Sequence, residues 1–233
     1  MPLCRQFAQI EEFRRLPDES AILRLRHRLE KHKLAGQTLN TVNGILETKG
    51  LLLKHGTVVD ATLIAAPCST KNKDHARDPE IHSSKKGEQM HFGMKAHIGA
   101  DAESGLVHTV RANSGNVHDV VEGNGLLHGA EKLAFGDAGY RGIEKRSDAK
   151  PDVTWHIAIH PGKRRALSKD NEADALIDKA EKLKAGVRVK VEHPFRVIKR
   201  QLGYVKVRRR GLKKNTAQLF ALSNLSMVRG KLM

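Results

Sequence analysis

Three carboxylates stand in stretches that otherwise exclude them. Asp60 interrupts Thr57-Val58-Val59-Asp60-Ala61-Thr62-Leu63-Ile64, and Asp137 closes the short apolar run ending in Phe135-Gly136. Glu192 is the only acid among thirteen Lys and Arg between Lys182 and Lys214. Burying an unpaired carboxylate costs on the order of several kcal/mol, so each needs a partner or a cation. Adjacent strands can bring Asp60 and Asp137 within a few ångströms. Two acids so close repel, and a divalent cation relieves the repulsion. Hard oxygen ligands with no nearby Cys favour magnesium or manganese over zinc. Two such ions about 4 Å apart can activate a water or a 3′-hydroxyl and stabilise the leaving oxygen of a phosphodiester. The ordinary alternative for an Asp in a strand is an ion pair or a cap.

Helical spacing ties Glu192 to its basic neighbours. Arg188, Glu192, Arg196 and Lys199 are separated by four, four and three residues, so a helix puts them on one face. Three cations around one acid can seat phosphates beside a metal. Val191, Phe195, Ile198 and Leu202 fall on the neighbouring face, which would pack on a sheet. Pro194 either starts a helix near His193 or bends a longer one. The alternative is an ion-paired surface helix, but bases so outnumber the acid that most are expected to lack a partner within the protein.

The composition agrees with a polyanionic partner. The chain has 42 Lys and Arg against 26 Asp and Glu, a net charge of +16, and pI near 10.0. No apolar run approaches the roughly 20 residues that span a bilayer, and no signal-peptide pattern opens the chain, so no membrane partner is expected. Cys4 and Cys68 form no spaced pair, as in a reducing cytosol. Among the thirteen histidines, His91 with His97 and His156 with His160 are the rival metal pairs. In a strand, His156 and His160 would point the same way but sit about 13 Å apart. No HExxH, Cys/His cluster, Walker loop, GxGxxG or GxSxG is present.

The acids need a scaffold, and the patterning supplies one. Pro17-Asp18-Glu19-Ser20 opens a helix carrying Ile22, Leu25 and Leu29, and a second helix runs from Thr38 to Glu47. These two are either a DNA-contacting piece or a solvated charged face. A strand follows at 57–64, then a polar loop over 67–89. Strands at 92–98 and 106–110 form a hairpin around Asp101-Ala102-Glu103-Ser104-Gly105. A helix over 116–127, a strand over 131–136, a short helix over 143–148, a strand over 153–159 and helices over 170–184 and 187–202 come next. The tail holds a short strand at 204–208 and an apolar helix over 215–228. This order predicts an α/β fold, a ribonuclease-H-like mixed sheet flanked by helices. Its acids lie in the first strand, at the end of the fourth, and on a helix after the fifth.

Five ordered stretches carry a family resemblance: 56–62, Lys95-Ala96-His97-Ile98 through Asp101, Asn116-Val117-His118-Asp119, Gly136-Asp137-Ala138-Gly139-Tyr140-Arg141-Gly142, and 191–199. Together they resemble bacterial insertion-sequence transposases with a DDE catalytic domain, in the group numbered five among insertion-sequence families. The likeness runs from about Pro17 to Leu225. It implies that Asp60, Asp137 and Glu192 are the catalytic triad, holding two Mg2+ ions for which Mn2+ can substitute. It implies cleavage at element ends by water, then strand transfer by the freed 3′-hydroxyl. The family signature Tyr-x2-Arg-x3-Glu-x6-Lys falls on Arg188, Glu192 and Lys199, with Ala185 where the tyrosine would stand. The candidate DNA contacts are Arg188, Arg196, Lys199, Arg200, Lys95 and Arg141. The expected partners are the element's terminal inverted repeats and target DNA, with a homodimer or higher oligomer when two ends are synapsed. The expected location is the bacterial cytoplasm, at the nucleoid. Residues 1–54 are expected to be a partial N-terminal helical segment that binds DNA, and 55–230 the catalytic domain. Relatives usually carry more helical sequence ahead of this part, so the chain reads as N-terminally shortened. Two other readings stay open: a catalytically inactive remnant that occupies element ends or inhibits a full-length transposase, and a ribonuclease-H-type host nuclease. Lys213, Lys214 and Arg229 leave the tail free either to contact DNA or to pack on the sheet.

Overall fold

The computed structural model describes residues 16–231, apart from Lys169. Cys4 and residues 1–15 of the expected N-terminal segment lie outside the described residues. Contacts divide the chain after Leu34. In the first unit, helix α1 (Glu19–Lys31) starts as the sequence predicts: Asp18 caps it, its carboxylate accepting from the Ala21 amide at 2.7 Å. No residue of α1 is buried.

The second unit is built on a six-stranded sheet. Its strands are β1 (Gly56–Ala65), β2 (His82–Lys86), β3 (Gln89–Asp101), β4 (Val107–Ser114), β5 (Leu133–Gly136) and β6 (Thr154–Ile157). The long β3 pairs antiparallel with β1 on one side and with both β2 and β4 on the other. On the far side of β1, β5 and then β6 run parallel to it. Leaving β2 aside, the order β4-β3-β1-β5-β6, with an antiparallel hairpin beside two parallel crossover strands, is the ribonuclease-H-like order expected. β2 is new: its residues are polar and fall inside the expected loop. Its pairing with the outer half of β3 gives an edge strand with no apolar alternation to announce it. One extra strand moves Asp137 to the end of the fifth strand and Glu192 to a helix after the sixth.

The helices follow the same logic with different ends. Helix α2 (Leu34–Thr48) buries Leu39, and its Asn43 amide donates to the His108 carbonyl at 2.9 Å. The helix expected over 116–127 shrinks to α3 (Asp119–Gly123) and a 3-10 turn, Asn124–Leu126. That expected over 143–148 is a 3-10 turn, Ile143–Lys145. A short α4 (Pro161–Arg165), unforeseen, follows β6 with His160 as its N-cap. His160 thus leaves the strand, and the His156 and His160 pairing fails on geometry.

The two helices expected around Ala185-Gly186 are one, α5 (Glu172–Arg196). Asn171 caps it, accepting from the Ala173 and Asp174 amides. It runs straight through Pro194. A proline has no amide to give the preceding turn, and the helix loosens just afterwards into a π-helical turn, Val197–Gln201. Val191, Pro194, Phe195, Val197 and Ile198 are buried, so packing on the sheet outweighs the lost hydrogen bond. The expected strand at 204–208 is a single parallel bridge, Lys206 to Ala65. Helix α6 (Leu212–Lys231) packs against β4, and its buried Asn215 donates to the Arg209 and Gly211 carbonyls and meets the Tyr204 hydroxyl at 3.2 Å. The tail therefore packs on the sheet. No helix among the described residues is long and apolar enough to cross a membrane.

Candidate active site

Strand register brings the two aspartates together. β1 and β5 pair through Val58 and Phe135, and continuing that register by two residues sets Asp137 level with Asp60. Both line one cleft with Thr62, Lys85, Lys95 and Asp119. Among the described residues Asp60 is held by a single hydrogen bond, its Oδ1 accepting from the Ala61 amide at 2.8 Å. Asp137 caps the 3-10 turn Ala138–Tyr140, its Oδ1 accepting from the Gly139 amide at 2.8 Å. The ordinary cap reading is thus also true of Asp137, but one bond leaves most of its lone pairs free.

Burial pushes the Asp60 carboxyl up to about 7, with Asp137 and Glu192 adding to the shift; the Ala61 amide and Arg188 oppose it. Glu192 and Arg188 on α5 are therefore near enough to act on the charge of Asp60. Glu192 itself is exposed. Among the described residues, no three His, Cys, Asp or Glu side chains converge closely enough to hold a metal ion. The donor set still suits a hard divalent cation: two adjoining carboxylates, one of them pushed up by burial and by its acid neighbours, with Glu192 near enough to add to that push.

The candidate DNA contacts divide. Arg196, Arg200 and Arg141 are exposed, and Arg188 is half-buried. Lys199 turns inward: its Nζ donates to the Thr62 hydroxyl at 2.6 Å and the Leu63 carbonyl at 2.8 Å, pinning the π-helical turn onto β1 just past Asp60. The π-helical winding takes Lys199 out of the simple helical strip with Arg188 and Arg196. Lys95 is engaged too, donating to the Val117 carbonyl at 2.7 Å and pairing with Asp119 at 2.9 Å. Lys190 reaches the Ala102 carbonyl, and Lys182 and Lys184 pair with Asp178 and Glu181, so more of this basic stretch is satisfied internally than its charge suggests.

Three residues escaped the sequence reading. Asp119 falls in a helix opening and in one of the five family-like stretches, with no role of its own; in the fold it enters the acid cleft. A methyl added at Gly139 would lie 3.0 Å from the Asp137 carboxylate and 3.6 Å from that of Asp119, so both acids flank the same turn. Tyr140 is fully buried close to them, and its hydroxyl has no hydrogen-bond partner among the described residues. Burial, then Asp60, Asp119 and Asp137, push the Tyr140 phenol well above its ordinary range. Glu181, almost fully buried, accepts from the Ile159 amide at 3.0 Å, while Lys184 donates to the Ile157 carbonyl at 3.1 Å. That pair fastens the end of β6 to α5. A buried acid within a charged helix leaves no periodic signal.

A ribonuclease-H-like sheet with paired aspartates on its two central parallel strands defines the class of this protein. The chain belongs to the transposase DDE domain family, whose description, "Transposase DDE domain", matches residues 52–228. Among solved structures, it is similar to the piggyBac transposase synaptic complex with hairpin DNA, at 10% identity over 75% of this chain and 45% of that one, with a TM-score of 0.40. It is also similar to the Mos1 mariner paired end complex with Mn, at 10% identity over 82% of this chain and 68% of that one, with a TM-score of 0.24. The chain thus spans 45% of the length of the piggyBac chain.

Proposed function

We propose that this chain cleaves DNA at the ends of an insertion sequence of group five and transfers the freed strand to target DNA, with Asp60, Asp137 and Glu192 as its catalytic carboxylates. The observation that carries the reading is the register that sets Asp137 beside Asp60, whose carboxyl burial and then Asp137 push up to about 7. Two divalent cations, Mg2+ or Mn2+ in its place, bound by these acids would supply an activated water or 3′-hydroxyl and stabilise the leaving oxygen. The chain's own part is positioning. The Ala61 amide orients Asp60, the Gly139 amide orients Asp137, and Arg188 offers positive charge to an approaching phosphate. Terminal inverted repeats and target DNA are its partners, two ends are synapsed by a dimer or larger assembly, and the setting is the bacterial cytoplasm.

The test is magnesium-dependent nicking of inverted-repeat DNA by the wild type and by Asp60→Ala, Asp137→Ala and Glu192→Ala. Each variant should lose nicking, and a triple variant that nicks as well as wild type refutes the assignment. A second reading has its own support. Glu192 stays outside any metal-holding group among the described residues, as in a DNA-binding remnant that occupies ends without cutting them. Salt-sensitive binding with no cleavage at any Mg2+ or Mn2+ concentration would favour it. Cutting of an RNA–DNA hybrid alone would point instead to a host nuclease.

A further inference from the structure

Two clefts share Ala158 and Ile159 as a common wall, just past the end of β6. One is lined by Arg141, Lys145, His160 and Lys163, the other by Arg164, Arg165 and Arg188. β6 is the strand next to β5, so this wall lies one strand out from Asp137 at the same edge of the sheet. The wall is rigid: Glu181 and Lys184 tie Ile159 and Ile157 to α5, and the Ala158 amide donates to the Gly136 carbonyl at 3.0 Å.

The charges around the wall do not balance. Arg164 is paired with Asp178, which also takes Lys182, and Glu181 is taken by Lys184. Arg141, Lys145, Lys163, Arg165 and Arg188 have no ion pair or side-chain hydrogen bond among the described residues. Only the exposed Glu144 is left to oppose them. Clustered cations without partners repel one another, so a fold that keeps them beside a fixed wall fits a polyanion there. Arg188 joins the two sites: it lines the outer cleft and is close enough to Asp60 to act on its charge.

We propose that the cleft walled by Ala158 and Ile159 seats the DNA backbone leading to the reacting phosphate, with Arg141, Lys145, Lys163, Arg165 and Arg188 spaced along it as phosphate contacts. The proposal rests on the nuclease reading above for the place where that backbone ends, but its binding surface stands on its own. Lys145, Lys163 and Arg165 are the new contacts.

The experiment measures binding of a fluorescein-labelled DNA duplex by anisotropy across a NaCl series, without divalent cations so that no cleavage intervenes. Removing three phosphate contacts should flatten the slope of log K against log salt by between about 2 and 3. The variant Lys145→Ala/Lys163→Ala/Arg165→Ala should show that change and bind on the order of 10-fold or more weakly at low salt. Lys213→Ala/Lys214→Ala, on α6, should leave the slope as in wild type. An unchanged slope in the triple variant overturns the proposal, and so does an equal loss in the α6 variant. If the triple variant behaves as expected while wild type never nicks DNA, the catalytic reading falls and the cleft stands. If wild type nicks and the triple variant binds normally, the cleft falls and the catalytic reading stands.

Discussion

The short ladder between β1 and β5 has acids near both its ends, and they live differently. At its start, Thr57 lies against Asp101 and Glu131, both buried. Asp101 accepts from the amides of Leu53, Lys54, Glu103 and Ser104 and from the Ser104 hydroxyl. Glu131 accepts from the Thr57 hydroxyl and the His128 and Gly129 amides. Burial alone would raise both carboxyls, but these donors outweigh it and hold each below its ordinary range; for Glu131, His128 adds to the effect. Three residues further along, Asp60 has one backbone donor, two acids for neighbours, and a carboxyl pushed up to about 7. Burial pushes every one of these acids up, and the count of donors decides whether it prevails. A satisfied acid staples loops, whereas an acid left short of positive charge is poised for a cation.

The largest test of this contrast is activity. Asp60→Asn should lower metal-dependent nicking on the order of 10³-fold or more while the fold survives, because the Asn oxygen can still accept from the Ala61 amide and a repulsion is removed. Asp101→Asn should leave any remaining folded protein able to nick. Equal loss of nicking in both variants, normalised to folded protein, would erase the distinction.

Stability should run the other way. Asp101→Ala strands four amides and a hydroxyl in a buried turn and should cost about 3–5 kcal/mol in urea unfolding. Asp60→Ala should cost far less, or raise stability in metal-free buffer. If Asp60→Ala proves the more damaging, then the open end is the structural one.

Titration gives the third test, with opposite signs at the two ends. His108, fully enclosed with its Nε2 at 3.1 Å from the Thr57 hydroxyl, is pushed down to about 3 by burial and by His128 beside it. Its unfolded value is about 6.5. Its contribution is present above that value and lost as pH falls from about 6.5 toward 3, by a few kcal/mol. Asp101 and Glu131, held low, are lost in the same direction at lower pH. Asp60 is raised, so its contribution is full below its unfolded value of about 3.9 and lost as pH climbs through about 7. Metal-free wild type should therefore weaken from pH 4 to 7 relative to Asp60→Asn, and Mg2+ should remove the difference. Urea midpoints of the two proteins that stay parallel over that range would count against an underpaired Asp60.

How much of this was legible follows from what kind of signal each residue leaves. Asp60 and Asp137 announced themselves because an acid breaks a period-2 apolar pattern, and the turn at Asp101 because its residues are turn formers. Lys95 was chosen for its charge, yet the charge is spent on Asp119, a residue far along the chain. Lys199 lies on the predicted strip only if the helix stays α-helical, and the π turn after Pro194 breaks that arithmetic. β2 pairs with its neighbour β3 across Gly87 and Glu88 but is polar on both faces, and Glu181 is held by the amide of Ile159 as well as by Lys184. Periodicity reports which face is buried; it is silent on which polar groups meet there.

The smallest expected effect tests whether the open end is incomplete as it stands. The Tyr140 hydroxyl is buried with no partner among the described residues, close to Asp60, Asp119 and Asp137. Leaving a buried donor unsatisfied costs about 1–3 kcal/mol, so deleting it should not harm the fold. Tyr140→Phe should shift stability by no more than about 1 kcal/mol in metal-free buffer, and toward greater stability. At the closed end, Thr57→Val removes a hydroxyl that both Glu131 and His108 use, and should destabilise by about 1–3 kcal/mol. Two hydroxyls near opposite ends of that ladder, each deleted without changing the ring or branch that fills the space, isolate the donor count from packing. A Tyr140→Phe loss as large as that of Thr57→Val would mean that the phenol already holds one of the three acids, and that the open end is as closed as the other.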